Sequence, residues 1–541
     1  MRRCNLIILV LFYLQYFNCR VAFSFLTQVE SNQTDPQSSP WLNFSSTEFH
    51  SDFPLAFTSK FLPYNITALA AAPGTLPAFR VEEVLFSLKD RQNLEKNGGI
   101  SSQGLYSQRS TASSVQKKRI GEQNIYMLGT DGIQKASTLF IPGLGGSGLY
   151  ASFTGSSLPS CSKLPVFQPT KRLWLPSQIM FAGKKKQRCW IQKLMLDYNS
   201  TTNLYKPLQG SSINAGTEGS TREMEYLDYV LNLGFPGTDY LFKLVDSFID
   251  FKIQTYGFSY DWRYPPWQLD WKEAIRLIES VVRDSKEKVH LIAHSYGAVI
   301  INYFLTTVVD QEWKNEYINS FTSIGGAFGG TPFVVHALLS GFNPLENSQW
   351  EDLTKFEITG DLLLRLERSF GSLYVMQPNE EVFGADLPLV TIKSLSTIAN
   401  EENSVNDKSN SSVYTSKNWT LLLPPVFRER AVLAGEMLGS KALKDPQVPV
   451  HCIWSRTAEA ETEMSFEYTT HNISYDSRIK INRGEGDGTL PIKSASWCTT
   501  WASTVFSMEV ANFSHGALLK SNELQNILLP LVSNRNLEAV D

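Results

Sequence analysis

Val289–Ile301 reads V-H-L-I-A-H-S-Y-G-A-V-I-I, and its three pieces decide the fold. Val289–Ala293 is a short, apolar, β-branched run of the kind that fills a buried strand. His294-Ser295-Tyr296-Gly297 is a sharp turn, and Ala298–Thr306 resumes as an apolar helical segment. A serine on a tight strand-to-helix turn is held out at the tip of a sheet, the geometry of the nucleophile elbow G-x-S-x-G. Ala293 stands where the first glycine is usual. The turn needs a small residue there because backbone passes close to backbone, and alanine is the least costly substitute. The alternative is a serine that merely occupies a buried turn.

A serine hydroxyl is a weak nucleophile and needs a histidine base oriented by a carboxylate. In a strand-elbow-helix protein the chain order is Ser, acid, His. Four histidines follow Ser295: His336, His451, His471 and His515. His336 comes early, His451 lies inside a strand pattern, and His471 stands in a polar hairpin-like stretch beside a glycosylation sequon. His515, in N-F-S-H-G-A-L-L, occupies a loop before a C-terminal helix and is the candidate base. Asp487, in G-E-G-D-G-T-L-P after a short strand around Ile479–Ile481, is the candidate acid; read alone, G-D-G is only a turn.

Upstream, Thr138–Ile141 reads as a short buried strand followed by P-G-L-G-G-S-G, Pro142–Gly148. A phosphate-binding reading fails for want of G-K-[ST] and of an acidic residue at ribose spacing. The loop fits better as backbone that must approach a reacting carbonyl. In α/β-hydrolases one oxyanion donor comes from such a loop and the other from the residue after the nucleophile. That nominates the amides of Leu144 and Tyr296. Between loop and elbow, Tyr256–Trp267 is an aromatic run with one Asp and one Arg, and Trp271–Asp284 is an amphipathic helix that Asp270 and Glu273 can open as a capping box. Phe321–Thr331 reads as strand then glycine-rich loop. Residues 335–440 interrupt the α/β rhythm with helices near Trp350–Ser369 and Glu429–Leu438 and a polar insert near Ala399–Ser416. The strand pattern returns from Val448, and a helix over Glu523–Val532 ends it.

The chain has 541 residues, 42% apolar and 19% charged, with net charge −4. That suffices for one large or two ordinary domains, and no basic surplus points to nucleic acid. Residues 1–18 carry two arginines and then about 13 mostly apolar residues, short for a membrane span, so they read as a secretory signal, cleaved or retained as an anchor. N-x-S/T sequons stand at Asn32, Asn43, Asn65, Asn199, Asn410, Asn418, Asn472 and Asn512, which favours the secretory pathway. Outside the signal region four cysteines remain, Cys161, Cys189, Cys452 and Cys498. An even set in an oxidising compartment suggests two disulfides, against buried free thiols, and no zinc spacing is present. Phe25–Gln123 is rich in Ser, Thr, Asn, Gln, Pro and Gly, with one helical stretch at Phe79–Lys96 and a basic cluster Lys117–Arg119 that is a processing site or a solvated linker.

Between Cys161 and Cys189 lie Leu164, Val166, Phe167, Leu173, Trp174, Leu175, Ile179, Met180 and Phe181, then Lys184–Lys186 and Arg188. Apolar and aromatic residues beside a basic cluster suit a phospholipid membrane surface; a pinned core loop with a solvated charged turn is the rival reading.

From Thr138 onward the chain resembles the lecithin:cholesterol acyltransferase family, which includes lysosomal-type phospholipase A and phospholipid:diacylglycerol acyltransferases. The resemblance rests on I-P-G-L-G-G-S-G, on C-W-I-Q-K-L-M-L-D-Y-N with E-Y-L-D (Glu225–Asp228), and on Y-D-W-R (Tyr260–Arg263). A-H-S-Y-G, G-G-A-F-G-G-T-P, G-D-G-T-L-P and S-H-G then follow in order. It implies disulfides Cys161–Cys189 and Cys452–Cys498, and a mobile lid within Gly341–Met376. The implied fold is an α/β-hydrolase with a membrane-binding subdomain and a cap or lid insertion. Its divisions are a signal over 1–18, an extension over 19–120, a first core part over 121–334 (subdomain 151–200), a cap over 335–440 and a second core part over 441–541. The implied activity is acyl transfer from a glycerophospholipid through Ser295, oriented by Asp487 and His515, to water or a lipid hydroxyl such as a sterol or diacylglycerol. It needs no metal or cofactor. A soluble carboxylesterase and a non-catalytic lipid-binding protein on the same scaffold are the alternatives.

Overall fold

The computed structural model describes residues 136–533 apart from 154–160, 162–170, 175–178, 180–181, 231–234, 237–238, 343–359, 394–410 and 460. The signal region, the extension with its helix at Phe79–Lys96, and Leu164, Val166, Phe167, Leu175, Met180 and Phe181 lie outside the described residues.

The strands that matter are β1 (Ser137–Ile141), β2 (Gln254–Gly257), β3 (Val289–His294), β4 (Ile318–Ile324), β5 (Pro388–Lys393), β6 (Ser411–Thr415), β7 (Val450–Arg456), β8 (Thr462–Tyr468), β9 (Ile479–Gly484) and β10 (Thr504–Ala511). Six form one sheet in the order β10-β7-β4-β3-β1-β2, with every neighbouring pair parallel. All residues of β1 and β3 are buried. A parallel sheet covered on both faces needs such continuous apolar runs, and here the side chains divide by alternation. Leu139, Ile141, Leu291 and Ala293 join the larger core, while Phe140, Ile292, Ile324 and Ile453 face the other way.

Four helices show how the two faces are covered. Helix α1 (Lys184–Leu194) buries Trp190, Ile191 and Leu194 in the larger core, and Arg263 bonds its last carbonyl, as described below. Helix α2 (Phe242–Asp250) brings Leu244, Val245 and Phe248 to the Phe140 side. Helix α3 (Trp271–Ser285) presents Ala274, Leu277, Ile278 and Val281 to the opposite side. Its cap is half of the expected box: the Asp270 side chain accepts the Lys272 amide at 3.0 Å. Helix α4 (Tyr296–Tyr303) is buried throughout and runs into a π-helical turn at Phe304–Val308, so the helical segment after the elbow begins two residues before Ala298. The last helix, Asn522–Val532, packs with α2.

Two buried histidines inside the parallel sheet meet hydroxyls on the neighbouring strand. His290 Nδ1 lies 2.8 Å from Ser320 Oγ, and His451 Nδ1 lies 2.9 Å from Thr322 Oγ1. His451 is thus a structural sheet residue, as its strand pattern predicts.

A second sheet, β6-β5-β8-β9, draws strands from both sides of residue 440. It contains the end of the polar insert as β6, so that insert is not wholly irregular. Residues 360–369 are helical, and the helix predicted near 429–438 spans Pro425–Met437. Cys161–Cys189 and Cys452–Cys498 are both disulfide-bonded.

Candidate active site

The elbow forms where β3 meets α4. Ser295 has φ 57° and ψ −125° and is 8% exposed. A non-glycine residue held there stores about 1–3 kcal/mol of strain, and the surroundings over-determine it. Its amide donates to Ile324 O at 3.0 Å, and its carbonyl accepts from Ala298 and Ala327. Gly297 has no room for a side chain: a Cβ there would lie 2.4 Å from Pro142 O and 2.7 Å from Ile141 O. Ala293 pairs with Ile141 and Ser323 and is fully buried, so its methyl is accommodated in the sheet.

The candidate base and acid arrive from two other strands. His515 follows β10, and its Nδ1 lies 2.6 Å from Asp487 Oδ2. The His515 amide also donates to Asp487 O at 2.9 Å. Asp487 is reached by a detour. The chain leaves β7 at Thr457, makes the β8–β9 hairpin, and returns where the Thr457 amide donates to Gly486 O at 2.9 Å. The acid therefore stands at the C-terminal end of β7, two strands from the elbow's strand in the sheet order. Asp487 Oδ1 accepts the amides of Thr489 (3.0 Å) and Leu490 (2.7 Å). Burial alone would raise this carboxyl, but the His515 ring and these two amides outweigh it and hold its pKa below the usual value. Among the described residues, His515 Nε2 is buried with no hydrogen-bond partner. Among the described residues no hydrogen bond joins it to Ser295 Oγ.

The glycine loop after β1 is suspended by its carbonyls. Pro142 O accepts from the Tyr260 hydroxyl at 2.8 Å, Gly145 O from Trp174 Nε1 at 2.7 Å, and Ser147 O from Trp262 Nε1 at 3.2 Å. The Gly143 amide donates to the Tyr240 hydroxyl at 2.8 Å. Neither the Leu144 amide nor the Tyr296 amide donates to an acceptor among the described residues. Gly143 lies against the elbow; a Cβ there would sit 2.8 Å from Ser295 Cβ. The aromatic run Tyr256–Trp267 thus supports this loop. Its arginine, Arg263, is fully buried, forks onto Asp261 at 2.8 and 2.5 Å, and donates to Leu194 O at 2.8 Å, tying the run to the end of α1.

The other histidines stand apart from this group. His336 is buried against Glu463 at 3.2 Å, and His471 lies 3.4 Å from the Tyr414 hydroxyl. Sequence reading missed Tyr240 and His294, which contact the loop and the base segment. No local pattern marks Tyr240; His294 was visible only as a neighbour of Ser295.

Residues 169–421 and 436–529 match the family described as lecithin:cholesterol acyltransferase, which is more than half of the chain. The chain belongs to the lecithin:cholesterol acyltransferase family. Ser295, Asp487 and His515 all fall inside the matched segments, while the glycine loop Pro142–Gly148 precedes them. A Bos taurus protein named lysosomal phospholipase A and acyltransferase is 27% identical over 323 residues, covering 58% of this chain and 70% of its own. A Mus musculus phosphatidylcholine-sterol acyltransferase is 24% identical over 324 residues, covering 58% of this chain and 65% of its own. A Gallus gallus protein of the same name is 26% identical over 347 residues, with 62% and 75% covered. Membership also fits the parallel sheet with helices on both faces, the α/β-hydrolase arrangement.

Proposed function

We propose that this family member moves a fatty acyl group from a membrane glycerophospholipid through a Ser295 acyl-enzyme to water or to a lipid hydroxyl. The observation that carries this reading is the Asp487–His515 contact at 2.6 Å, with His515 Nε2 left unpartnered beside a strained serine elbow. In the first half-reaction His515 Nε2 takes the Ser295 Oγ proton as Oγ bonds to the ester carbonyl carbon. The carbonyl oxygen becomes an oxyanion, which the Leu144 and Tyr296 amides stabilise. Asp487 stabilises the imidazolium without taking its proton. The intermediate collapses, His515 passes the proton to the glyceryl oxygen, and lysophospholipid leaves. In the second half, water or an alcohol gives its proton to His515, attacks the acyl carbon, and Ser295 is restored.

The names of the relatives, a phospholipase A and acyltransferase and a phosphatidylcholine-sterol acyltransferase, support the phospholipid donor and both kinds of acceptor. We assign 151–200 to membrane contact, 335–440 to the cap, and 121–334 with 441–541 to the core. Supporting the first, Lys184, Lys185, Lys186 and Arg188 are exposed on the opening turns of α1, beside the Cys161–Cys189 bridge. The signal-like start, the sequons and two disulfides support passage through the secretory pathway to a secreted or lumenal site. No helix among the described residues is long and apolar enough to cross a membrane.

The test uses vesicles of phosphatidylcholine labelled in the acyl chain, with and without cholesterol or diacylglycerol. Free fatty acid and esterified product are followed separately. Both should vanish in Ser295→Ala; product formation that survives this substitution overturns the mechanism, and activity on short soluble esters alone overturns the substrate class.

A further inference from the structure

Three loops meet at the catalytic centre, and one partly buried chain of hydrogen bonds joins them. The Gly143 amide donates to the Tyr240 oxygen at 2.8 Å. The Tyr240 hydroxyl lies 2.7 Å from His294 Nδ1. His294 Nε2 lies 3.3 Å from the carbonyl oxygen of His515. Chemistry sets every proton in this chain. An amide only donates, so the phenol oxygen accepts from Gly143. A carbonyl only accepts, so a ring proton sits on Nε2, and with the ring neutral Nδ1 is bare and takes the phenol's single proton. A doubly protonated His294 would leave the Tyr240 proton with no acceptor, so the arrangement admits only the neutral ring.

We propose that Tyr240 and His294 are positioning residues of the acyl-transfer site, a phenol–imidazole pair that selects the oxyanion amide and sets the base loop. This rests on the serine acyl-transfer reading above. The pair acts at two ends. At one end it occupies the Gly143 amide, so that the next amide, Leu144, is the one left to face developing charge. Gly146 N closes the same turn onto Gly143 O at 3.0 Å, and Gly145 takes φ 71°, so the loop register is fixed from both sides. At the other end His294 holds the backbone of His515, whose ring lies 4.5 Å from its own, centroid to centroid. Because His294 adjoins Ser295 in sequence, one side chain couples nucleophile, base and oxyanion loop.

Neutrality matters as much as position. His515 becomes a cation when it takes the serine proton, and a second cation 4.5 Å away would oppose that step. Burial, and then the neighbouring His515, hold His294 well below its ordinary pKa, in keeping with the proton assignment. Burial likewise raises the Tyr240 phenol, so it stays protonated and able to donate.

Four full-length variants test the proposal: Tyr240→Phe, His294→Asn, their combination, and Tyr468→Phe. The last removes a buried hydroxyl bonded to Ser340 at 2.9 Å, outside the site, and controls for loss of stability. Steady-state hydrolysis of phosphatidylcholine vesicles, fluorophosphonate labelling of Ser295 and melting temperature are measured on each. Tyr240→Phe should lower kcat about 10- to 100-fold with KM within about twofold. Labelling should slow by a similar factor, because phosphonylation places a charged oxygen in the same hole. His294→Asn keeps an acceptor for Tyr240 but loses the reach to His515, so it should fall less. The double variant should be no slower than the slower single one, since the two act as a unit. Tyr468→Phe should lower the melting temperature comparably while leaving kcat unchanged. Unchanged kcat and labelling in Tyr240→Phe overturn the pair's role, as does a kcat loss matched by Tyr468→Phe. Wild-type protein that is never labelled at Ser295 overturns the acyl-transfer reading itself, which is a separate result.

Discussion

His515 Nδ1 lies 2.6 Å from Asp487 Oδ2, in a turn where the other carboxylate oxygen already accepts the amides of Thr489 and Leu490. With one oxygen anchored by backbone, the second has a fixed direction, and the imidazole it meets has a fixed tautomer. Replacing Asp487 by Asn keeps the shape but offers an amide N–H or a neutral oxygen to Nδ1. In a serine-protease triad the equivalent change costs about 10⁴ in kcat. Asp487→Asn should therefore lower kcat by about 10³–10⁴ in the vesicle assay with little change in melting temperature. A loss under tenfold would remove Asp487 from the mechanism.

The carbonyls of the glycine loop accept from aromatic donors, which fix the loop where Gly143 lies against the elbow. Trp262→Phe deletes the donor to Ser147 O, and Tyr260→Phe deletes the donor to Pro142 O. Each leaves a buried carbonyl unpaired at a cost of about 1–3 kcal/mol. Part of that cost should surface as a loosened loop, so kcat should fall more than KM rises. Comparing kcat and KM with thermal stability in both variants is the measurement. Loss of stability with kcat intact would mean the loop is held elsewhere.

The elbow was legible because its signal is local: a β-branched run, a small residue, a serine and a second glycine lie within nine positions. His515 and Asp487 were legible because each stands in a short turn in the expected order. Tyr240 was not, because it meets Gly143 across 97 positions and His294 across 54, and nothing in D-Y-L-F announces a phenol aimed at an active site. The run Tyr260–Arg263 stood out as unusual, yet its work as a support for the glycine loop depends on where β1 and α1 end. The β8–β9 excursion hid the acid's position relative to the sheet, since it is the Thr457–Gly486 contact that brings Asp487 back to the end of β7. Local geometry can be read from a sequence; closure over long separations is decided by packing.

Two sheet histidines set an acid limit on stability. His290 and His451 are buried, and burial lowers each to about 4, from 6.5 in the unfolded chain; His451 adds to the lowering of His290. Between those values the unfolded chain binds more protons than the folded one, so stability is full above about pH 6.5 and falls as the pH drops toward 4. The slope approaches ~1.4 kcal/mol per pH unit for each ring. Urea denaturation from pH 7.5 to 4.5 should show this decline, and His451→Asn should flatten it. A stability that rises on acidification would contradict the burial of these rings in the folded state.

The Cys452–Cys498 bridge closes a segment of 46 residues that carries Asp487 near its far end, and both cysteines are fully buried. Cross-linking a loop of that length removes unfolded-state entropy worth ~4 kcal/mol in the chain-entropy picture. The bridge also holds β7 to the turn at Trp497–Thr500, so the acid's return path is clamped at both ends: by the disulfide and by the Thr457–Gly486 contact. A Cys452→Ala, Cys498→Ala double variant should lose ~4 kcal/mol in urea denaturation, with kcat reduced because Asp487 loses one of its two anchors. The two effects separate by temperature. Well below the lowered melting point the protein remains folded, and a persisting kcat deficit there reports displacement of the acid rather than unfolding. Full kcat at low temperature would show that the Thr457–Gly486 contact and the Asp487 turn hold the acid without the disulfide.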